Sequence, residues 1–381
     1  MSASITTARQ SRSPEPEQHS TDNSMLRVVA IGGGTGLSTL LRGLKQHTIQ
    51  LAASGAATEM PSVIYSGPER RNLTTTESLQ QRRTTDQLWI SDLSAVVTVT
   101  DDGGSSGRLR KEFNILPPGD IRNCLVALSE DEALLSRLFQ YRFKAGEGLE
   151  GHSFGNLFLT ALNNITGDFA EAVRESSIIL ATRGQIFPAT TSDVQLTALM
   201  DDASEVSGET RITASKQRIV RLTMVPADAK PLPQTLQAIE NADLITIGPG
   251  SLFTSLITNV LVHGIPEAIA NSRAIKVYIC NLMTQANESL NLTASEHINK
   301  IYEHAGMPIF DYALVNTGKI SEELQAKYAE EGAAPIEVDK KAIEALGVKC
   351  IVGNFVDEGD VVRHNTTRLA KELHCIVLNR P

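Results

Sequence analysis

Residues 26–44 have the sequence LRVVAIGGGTGLSTLLRGL, and this stretch decides the fold. It opens with the β-branched run LRVVAI, which is typical of a buried parallel strand. A glycine-rich turn follows at residues 32–36. Leucines then recur at positions 37, 40, 41 and 44, which is the spacing of one apolar helix face. The stretch therefore predicts a strand, a glycine loop and a helix.

The same alternation continues along the chain. Further strand candidates are residues 93–100, 243–248, 274–280, 311–316 and 349–352. Strands that alternate with helices form a parallel sheet covered on both faces, so we expect an α/β fold with a mostly parallel sheet. Residues 184–224 differ, because short apolar runs there flank a polar turn. This pattern predicts a small antiparallel β insert.

Two segments lack such patterns. Residues 1–24 are polar and contain Pro14 and Pro16, which predicts a disordered tail. Residues 47–92 are rich in Ser, Thr, Gln, Arg and Gly, and we expect a flexible insertion there. The remainder, residues 25–381, is predicted to form a single α/β domain that carries both inserts.

Composition excludes several classes of protein. With 381 residues and 41% hydrophobic side chains, the chain is neither disordered nor fibrous. A net charge of −9 argues against a general nucleic-acid binder, although a local basic pocket is compatible with it. The four cysteines are widely spaced and indicate neither a zinc site nor a disulfide framework. The absence of a signal peptide and of a long apolar run predicts a cytoplasmic protein without a membrane span.

Glycine-rich loops follow two predicted strands. Ligands of parallel sheets gather at the carboxyl ends of the strands, where loops lead into helix N-termini. The first loop offers the backbone amides of Gly33, Gly34, Thr35 and Gly36 to an anion. The second offers Gly248, Gly250 and Ser251 as another phosphate cradle. The alternative is that these glycines serve only close packing.

A third loop carries two neighbouring carboxylates, Asp101 and Asp102. Together with the glycines and Arg108 after them, they are candidates to hold a hydrated divalent ion and an anion together. Two alternatives stay open: a tight turn in which one aspartate caps a helix, and binding of a ribose. Asn156 is a further candidate, either as a helix cap or as a hydrogen-bond partner of a ligand.

Several motifs together resemble the bacterial gluconeogenesis factor family. They are IGGGTGL (31–37), TVTDDGGSSGRLR (98–110), PPGDIRN (117–123), GHSFGN (151–156), IGPGSLFTS (247–255) and VYICNLMTQ (277–285). The family is similar in fold to 2-phospho-L-lactate transferases, which implies a Rossmann-like three-layer α/β/α sheet. It also implies binding of UDP-sugars, above all UDP-N-acetylglucosamine, and a role in cell shape and wall synthesis during gluconeogenic growth.

The resemblance also implies Mg²⁺ at Asp101 or Asp102, as in the transferase relatives, and further site residues. Tyr328 and Arg363 match positions of the nucleotide-sugar site, where a ring stacks on uracil and a guanidinium binds a diphosphate. The family's Thr-Gln-x-Gly-Glu-Thr run appears here as TQANES (284–289), with Asn287 in place of glycine. Asparagine tolerates positive φ better than other non-glycine residues, so we expect the turn to survive.

Three functions compete at this point. The first is a UDP-sugar-binding regulatory protein that acts with a protein partner of cell-wall synthesis. The second is a Mg²⁺-dependent transferase of the phosphoryl type acting on a diphosphate-linked donor, and the third is a dinucleotide oxidoreductase. The family implies no firm reaction, so whether the chain is an enzyme is left open, as is assembly into a homo-oligomer.

Overall fold

The structure is a computed structural model that describes residues 25–49, 88–130, 134–215, 217–286 and 288–379. The predicted tail (1–24), most of the predicted insertion (47–92) and Asn287 lie outside the described residues. The strands in chain order are β1 (Leu26–Gly32), β2 (Ile90–Val97), β3 (Gln185–Pro188), β4 (Gln195–Met200), β5 (Glu205–Ser207), β6 (Ile219–Val225), β7 (Leu244–Ile247), β8 (Ile275–Ile279), β9 (Tyr312–Asn316), β10 (Lys349–Gly353), β11 (Val356–Glu358) and β12 (Val362–His364).

Helices connect these strands. The α-helices span Gly34–Lys45, Gly104–Phe113, Gly119–Leu128, Leu134–Gln140, Phe154–Thr166, Phe169–Ile179, Glu209–Ala214, Pro233–Asn241, Thr258–Val260, Ile265–Asn271, Ala294–Ala305, Glu322–Ala329, Lys340–Ala345 and Thr366–Leu378. A π-helix, Leu252–Ile257, runs directly into the helix Thr258–Val260. No single helix among the described residues has the length and apolar character to cross a membrane, whereas the bent pair Leu252–Val260 and Ile265–Asn271 meets those two criteria together.

The central sheet has seven strands in the order β10-β9-β8-β7-β1-β2-β3, and every pairing within it is parallel. Side chains of successive residues enter opposite layers: Val28 and Ala30 join one apolar cluster, whereas Val29 and Ile31 join the other. Helices bury both faces, so the predicted three-layer α/β/α fold is confirmed. The small antiparallel sheet, β5-β4-β6, is present as well.

The sheet changes direction at β1. The chain first places β2 and β3 on one side of β1 and then returns to place β7 on the other side. Such a switch leaves a crevice at the carboxyl ends of the two strands. The loops after β1 and β7 touch there, since a Cβ at Gly36 would lie 2.3 Å from the carbonyl oxygen of Pro249. Only glycine allows this approach.

Two boundaries differ from the sequence predictions. Residues 185–188, predicted as part of the antiparallel insert, form β3 at the edge of the central sheet, where Ser94 of β2 opposes Gln185. The run is too short and too apolar for its pattern to distinguish an edge strand from a hairpin strand. Residues 90–92, predicted to end the flexible insertion, already belong to β2.

The last helix returns to the first. Helix Thr366–Leu378 packs against helix Gly34–Lys45, and a Cβ at Gly43 would lie 2.7 Å from the Cβ of Thr366. The hairpin β11–β12 leads into this last helix and therefore lies beside the glycine loop. This contact brings the C-terminal segment to the end of the sheet where ligands are expected.

Candidate functional site

A cleft of about 340 Å³ opens beside the glycine loop. Its lining is polar and combines residues from distant parts of the chain: Thr35, Ser38, Thr39, Arg42, Asn123, Gln140, Asp357, Arg363, His364 and Thr366. The volume falls in the range of small-molecule sites. Thr35 and Arg363, which the sequence singled out separately, are thus brought into one cavity.

The first wall is the polar face of helix Gly34–Lys45, on which Ser38 is buried and donates to the carbonyl oxygen of Thr35 at 3.0 Å. Thr35, Ser38, Thr39 and Arg42 are spaced i, i+3, i+4 and i+7, so they form one polar stripe opposite the buried leucines. Thr35 occupies the first turn of the helix, where backbone N–H groups lack partners within the helix. The wall therefore presents hydroxyl groups, a helix N-terminus and one guanidinium.

The facing wall is the hairpin and the start of the last helix. Arg363 lies opposite Asp357 in the β11–β12 register, and both line the cleft. Tyr328, predicted to stack on uracil, does not line it: its hydroxyl accepts the N–H of Val362 at 3.2 Å, and its ring packs against a small apolar cluster. The observed contacts of Tyr328 therefore hold the hairpin that carries Arg363.

His364 lies between this cleft and the sheet. Its Nε2 is 3.1 Å from the carbonyl oxygen of Cys280, to which the ring donates a hydrogen bond. Burial lowers the pKa of His364 to about 4. The ring is consequently neutral at pH 7, and its Nδ1 is an acceptor for a ligand hydroxyl rather than a cation for a phosphate.

An internal carboxylate binds a backbone amide of the first glycine loop. Asp120 accepts the backbone N–H of Gly34, and burial, together with the nearby charge of Asp101, raises its pKa to about 6. Asp120 lies in the first turn of its own helix, whose N-cap is Pro118. Among the backbone amides predicted to bind an anion, that of Gly34 is therefore bonded within the protein, whereas Thr35 lines the cleft.

Space around this loop is tight. A Cβ at Gly33 would lie 2.5 Å from Cγ2 of Thr98 and 2.8 Å from Oδ2 of Asp120. Gly33 and Gly36 are thus packing positions, since their missing side chains allow the loop to contact β2 and the loop after β7.

Asp101 and Asp102 make different contacts. Oδ1 of Asp102 accepts the N–H and the hydroxyl of Thr210 at 2.8 and 2.6 Å, which anchors the antiparallel insert to β2. Oδ1 of Asp101 accepts the N–H of Gly103 at 2.9 Å, whereas its Oδ2 accepts no hydrogen bond from the described residues. The same holds for Oδ2 of Asp102, so each aspartate leaves one carboxylate oxygen without a hydrogen bond from the described residues.

A buried glutamate, Glu209, lies near the carboxylates of Asp101 and Asp120. Glu209 accepts the hydroxyl of Thr100 at 2.7 Å. Burial, with smaller contributions from Asp120 and Asp101, raises the pKa of Glu209 well above its usual value. Sequence reasoning missed this residue because it belongs to the insert, which the chain adds about a hundred residues after the strand it contacts.

A metal site at these carboxylates would need several ligands placed around one point. Within the described ranges, no group of three or more His, Cys, Asp or Glu side chains is placed to hold an ion. Asp101 and Asp102 each fit as a single ligand through Oδ2, because only Oδ1 of each accepts hydrogen bonds from the described residues. This matches the way Mg²⁺ is held by one or two carboxylates together with substrate phosphates.

The predicted second cradle is also engaged internally. The N–H of Gly250 donates to Oδ1 of Asn281 at 3.1 Å, and the N–H of Gly248 donates to the carbonyl of Ile31 at 3.1 Å. The hydroxyl of Ser251 accepts Nε2 of Gln285 at 3.1 Å. The loop is therefore held by side chains from the segment that follows β8.

Glu288 binds the first turn of the π-helix that follows that loop. Its carboxylate accepts the N–H of Phe253 at 3.1 Å and the hydroxyl of Thr254 at 2.7 Å. The residue is 6% exposed, and burial raises its pKa. Negative charge is favourable at a helix N-terminus, so Glu288 takes the place that we expected for a phosphate.

Asn156 belongs to a buried network. Its Nδ2 donates to Oγ of Ser105 at 3.1 Å, and its Oδ1 accepts from Arg122 at 3.0 Å. Arg122 also donates to Oδ1 of Asn123, which lines the cleft. The cap of this helix is Ser153, whose hydroxyl accepts the N–H of Asn156. Asn156 is thus connected to the cleft lining by hydrogen bonds through Arg122 to Asn123.

Comparisons with known proteins agree with this architecture. A family model described as 2-phospho-L-lactate transferase CofD matches residues 28–356. A crystal structure of an upf0052 family protein from Bacillus halodurans has a TM-score of 0.79 and 45% sequence identity, and the match covers 92% of this chain and 99% of that one.

Relatives of known sequence point to one branch of this family. The gluconeogenesis factor of Halalkalibacterium halodurans is 45% identical over 347 residues, which cover 91% of this chain and 95% of the relative. The gluconeogenesis factor of Bacillus subtilis is 43% identical over 348 residues, with 91% and 96% covered. The chain therefore belongs to the CofD family and, within it, to the proteins named gluconeogenesis factor.

Proposed function

We propose that the chain is a cytoplasmic regulatory protein that binds a nucleotide-sugar of the UDP-N-acetylglucosamine type in the cleft between its first and last helices. Its bound form would act on a protein of cell-wall synthesis and so on cell shape during gluconeogenic growth. One observation carries the proposal: Thr35 of the glycine loop and Arg363 of the C-terminal hairpin line the same cavity of about 340 Å³.

The chemistry of the lining supports a ligand with a diphosphate and hydroxyl groups. Guanidinium groups bind phosphate oxygens through two parallel hydrogen bonds. The hydroxyls of Ser38 and Thr39 and the amides of Asn123 and Gln140 can bind sugar or ribose hydroxyls. The acceptor Nδ1 of the neutral His364 adds a group that favours a hydroxyl over a phosphate.

The position of the second wall in the sequence also supports a binding function that is separate from the activity of the transferase. Arg363, His364 and Thr366 come after residue 356, the last residue that the CofD model matches. The cleft therefore uses residues beyond the region matched to the transferase family. A ligand of this cleft need not be a substrate of that transferase.

Calorimetry with UDP-N-acetylglucosamine tests the proposal. We expect saturable binding by the native chain and at least about tenfold weaker binding by Arg363→Gln, because the bidentate contact to a phosphate is lost. Lys371→Gln, which removes an exposed cation of the last helix outside the cleft lining, is the matched control. Undetectable binding by the native chain at millimolar ligand would refute the proposal.

A second candidate is a Mg²⁺-dependent transferase of the phosphoryl type. The CofD match and the free Oδ2 of Asp101 favour it. Mg²⁺ bound at Asp101 would supply charge neutralisation for a diphosphate. Incubation with Mg²⁺ and a UDP-sugar, followed by ³¹P NMR, should then show turnover that Asp101→Asn abolishes and that Asp228→Asn, an exposed control, leaves unchanged.

A further inference from the structure

We propose that Arg42 and Arg363 form a clamp that binds the two phosphates of a diphosphate from opposite walls of the cleft. This inference rests on the proposed function and adds to it Arg42, a residue outside the motifs that suggested the ligand. It also assigns each of the two phosphates of that ligand to a guanidinium on a different wall.

The placement of the two guanidiniums is the first argument. Arg42 ends the polar stripe of helix Gly34–Lys45, Arg363 lies on β12, and both line the same cleft. Neither guanidinium makes a hydrogen bond or an ion pair with any of the described residues. Four other arginines instead pair with carboxylates: Arg27 with Asp243, Arg110 with Asp193, Arg174 with Glu171, and Arg183 with Glu130.

The absence of a counter-ion is the second argument. Asp357 is the cross-strand neighbour of Arg363 and lines the same cleft, yet the two side chains do not form an ion pair within 4.0 Å. Two guanidiniums that share one cleft repel each other unless an anion lies between them. The chain as a whole carries a net charge of −9, so its overall field does not attract anions, and binding must rely on these local cations.

The neighbouring groups provide the third argument. Arg122 donates to Oδ1 of Asn123 at 2.9 Å, so the amide nitrogen of Asn123 is the atom left to face a ligand. Helix Thr366–Leu378 begins at the cleft, and its N-terminus carries positive partial charge. Donors and positive charge therefore line most of the space between Arg42 and Arg363, and Asp357 is the one carboxylate among the lining residues.

The clamp predicts a difference between ligands with one and two phosphates. Calorimetry would compare UDP-N-acetylglucosamine, UDP, UMP and inorganic pyrophosphate on the native chain and on Arg42→Gln. We expect at least a tenfold loss of affinity for the three diphosphates and less than a threefold loss for UMP. Arg42→Lys, which keeps the charge but not the planar fork, should fall between the two.

Arg137→Gln is the matched control, because Arg137 is an exposed arginine near the cleft that does not line it; its affinities should stay within twofold of native. Circular dichroism verifies that each variant is folded. If Arg42→Gln weakens UMP and UDP equally, or weakens neither, the clamp is wrong although the proposed function stands. If the native chain binds no UDP-sugar, the proposed function itself is wrong.

Discussion

The carboxylate of Asp120 accepts the backbone N–H of Gly34 and so places a negative charge of the protein itself at the start of the first helix. Glu288 does the same at Phe253 in the loop after β7. Both turns that resemble phosphate cradles in sequence are therefore occupied by internal carboxylates. Arg42 and Arg363 supply the positive charge of the cleft instead, on the outer side of the first helix.

Replacing Asp120 with Asn should stabilise the protein above pH 6. The pKa of Asp120 is about 6 in the folded state and 3.8 when unperturbed, so the folded state binds more protons between these values. Its stability accordingly falls as the pH rises through this window, by at most about 3 kcal/mol. We expect urea unfolding at pH 8 to give Asp120→Asn a free energy of unfolding about 1–3 kcal/mol above native, and a smaller gain at pH 5.

The exposed Asp228→Asn serves as the control for this experiment and should change stability by less than about 0.5 kcal/mol at both pH values. A variant at Asp120 that is less stable than native at pH 8 would mean that the charge stabilises the loop.

Adding a methyl group at Gly36 should separate the loops after β1 and β7. The new Cβ would lie 2.3 Å from the carbonyl oxygen of Pro249, and backbone cannot move aside as a flexible side chain can. We expect Gly36→Ala to lower the free energy of unfolding by roughly 3 kcal/mol. Gly359→Ala, where no atom lies within 4 Å of the new Cβ, should be within about 0.5 kcal/mol of native in the same denaturant titration.

Removing the amide of Asn156 should destabilise the fold and weaken ligand binding indirectly. Arg122 would lose one acceptor in a half-buried environment, and its Nε already lacks a partner. We expect Asn156→Ala to cost about 2–3 kcal/mol of stability, while Asn164→Ala on the exposed face of the same helix costs little. A stable Asn156→Ala variant with abolished ligand binding would instead indicate direct contact with the ligand.

His364 should make stability fall on acidification. Its pKa is about 4 in the folded state and 6.5 when unperturbed, so the unfolded chain binds the extra proton within this window. Stability is therefore lost as the pH falls from 6.5 towards 4, by at most about 3 kcal/mol because the ring is partly exposed in the cleft.

The measurement for this prediction is the difference in unfolding free energy between pH 7.5 and pH 5. It should be up to about 2 kcal/mol smaller in His364→Gln than in the native chain. His263→Gln, at an exposed histidine, is the matched comparison. An unchanged difference in His364→Gln would show that other groups cause the acid sensitivity.

The sequence was sufficient where structure depends on neighbours along the chain. The strand, glycine loop and helix at residues 26–45 follow from a β-branched run and leucines spaced for one helix face. The polar stripe ending in Arg42 was visible on the opposite face of that helix. The sequence did not show that this stripe lines a cleft, because the hairpin with Arg363 that completes the cleft lies at the other end of the chain.

Contacts between distant segments explain the remaining differences. Asp120 accepts the backbone N–H of Gly34, and Glu288 accepts that of Phe253. Both hydrogen bonds depend on how loops from separate strands meet, and no local sequence pattern indicates this. The assignment of residues 185–188 failed for a related reason, since a four-residue strand takes its place from its partner β2.

The site has walls from the first and the last helix, so it cannot exist in a partial chain. A nascent polypeptide that has passed Lys45 holds Arg42, but recognition of a ligand must wait until the ribosome has added Arg363 and Thr366. A bound ligand would then tie the two termini of the domain together. Proteolytic removal of the last helix would erase recognition while leaving the seven parallel strands in the chain.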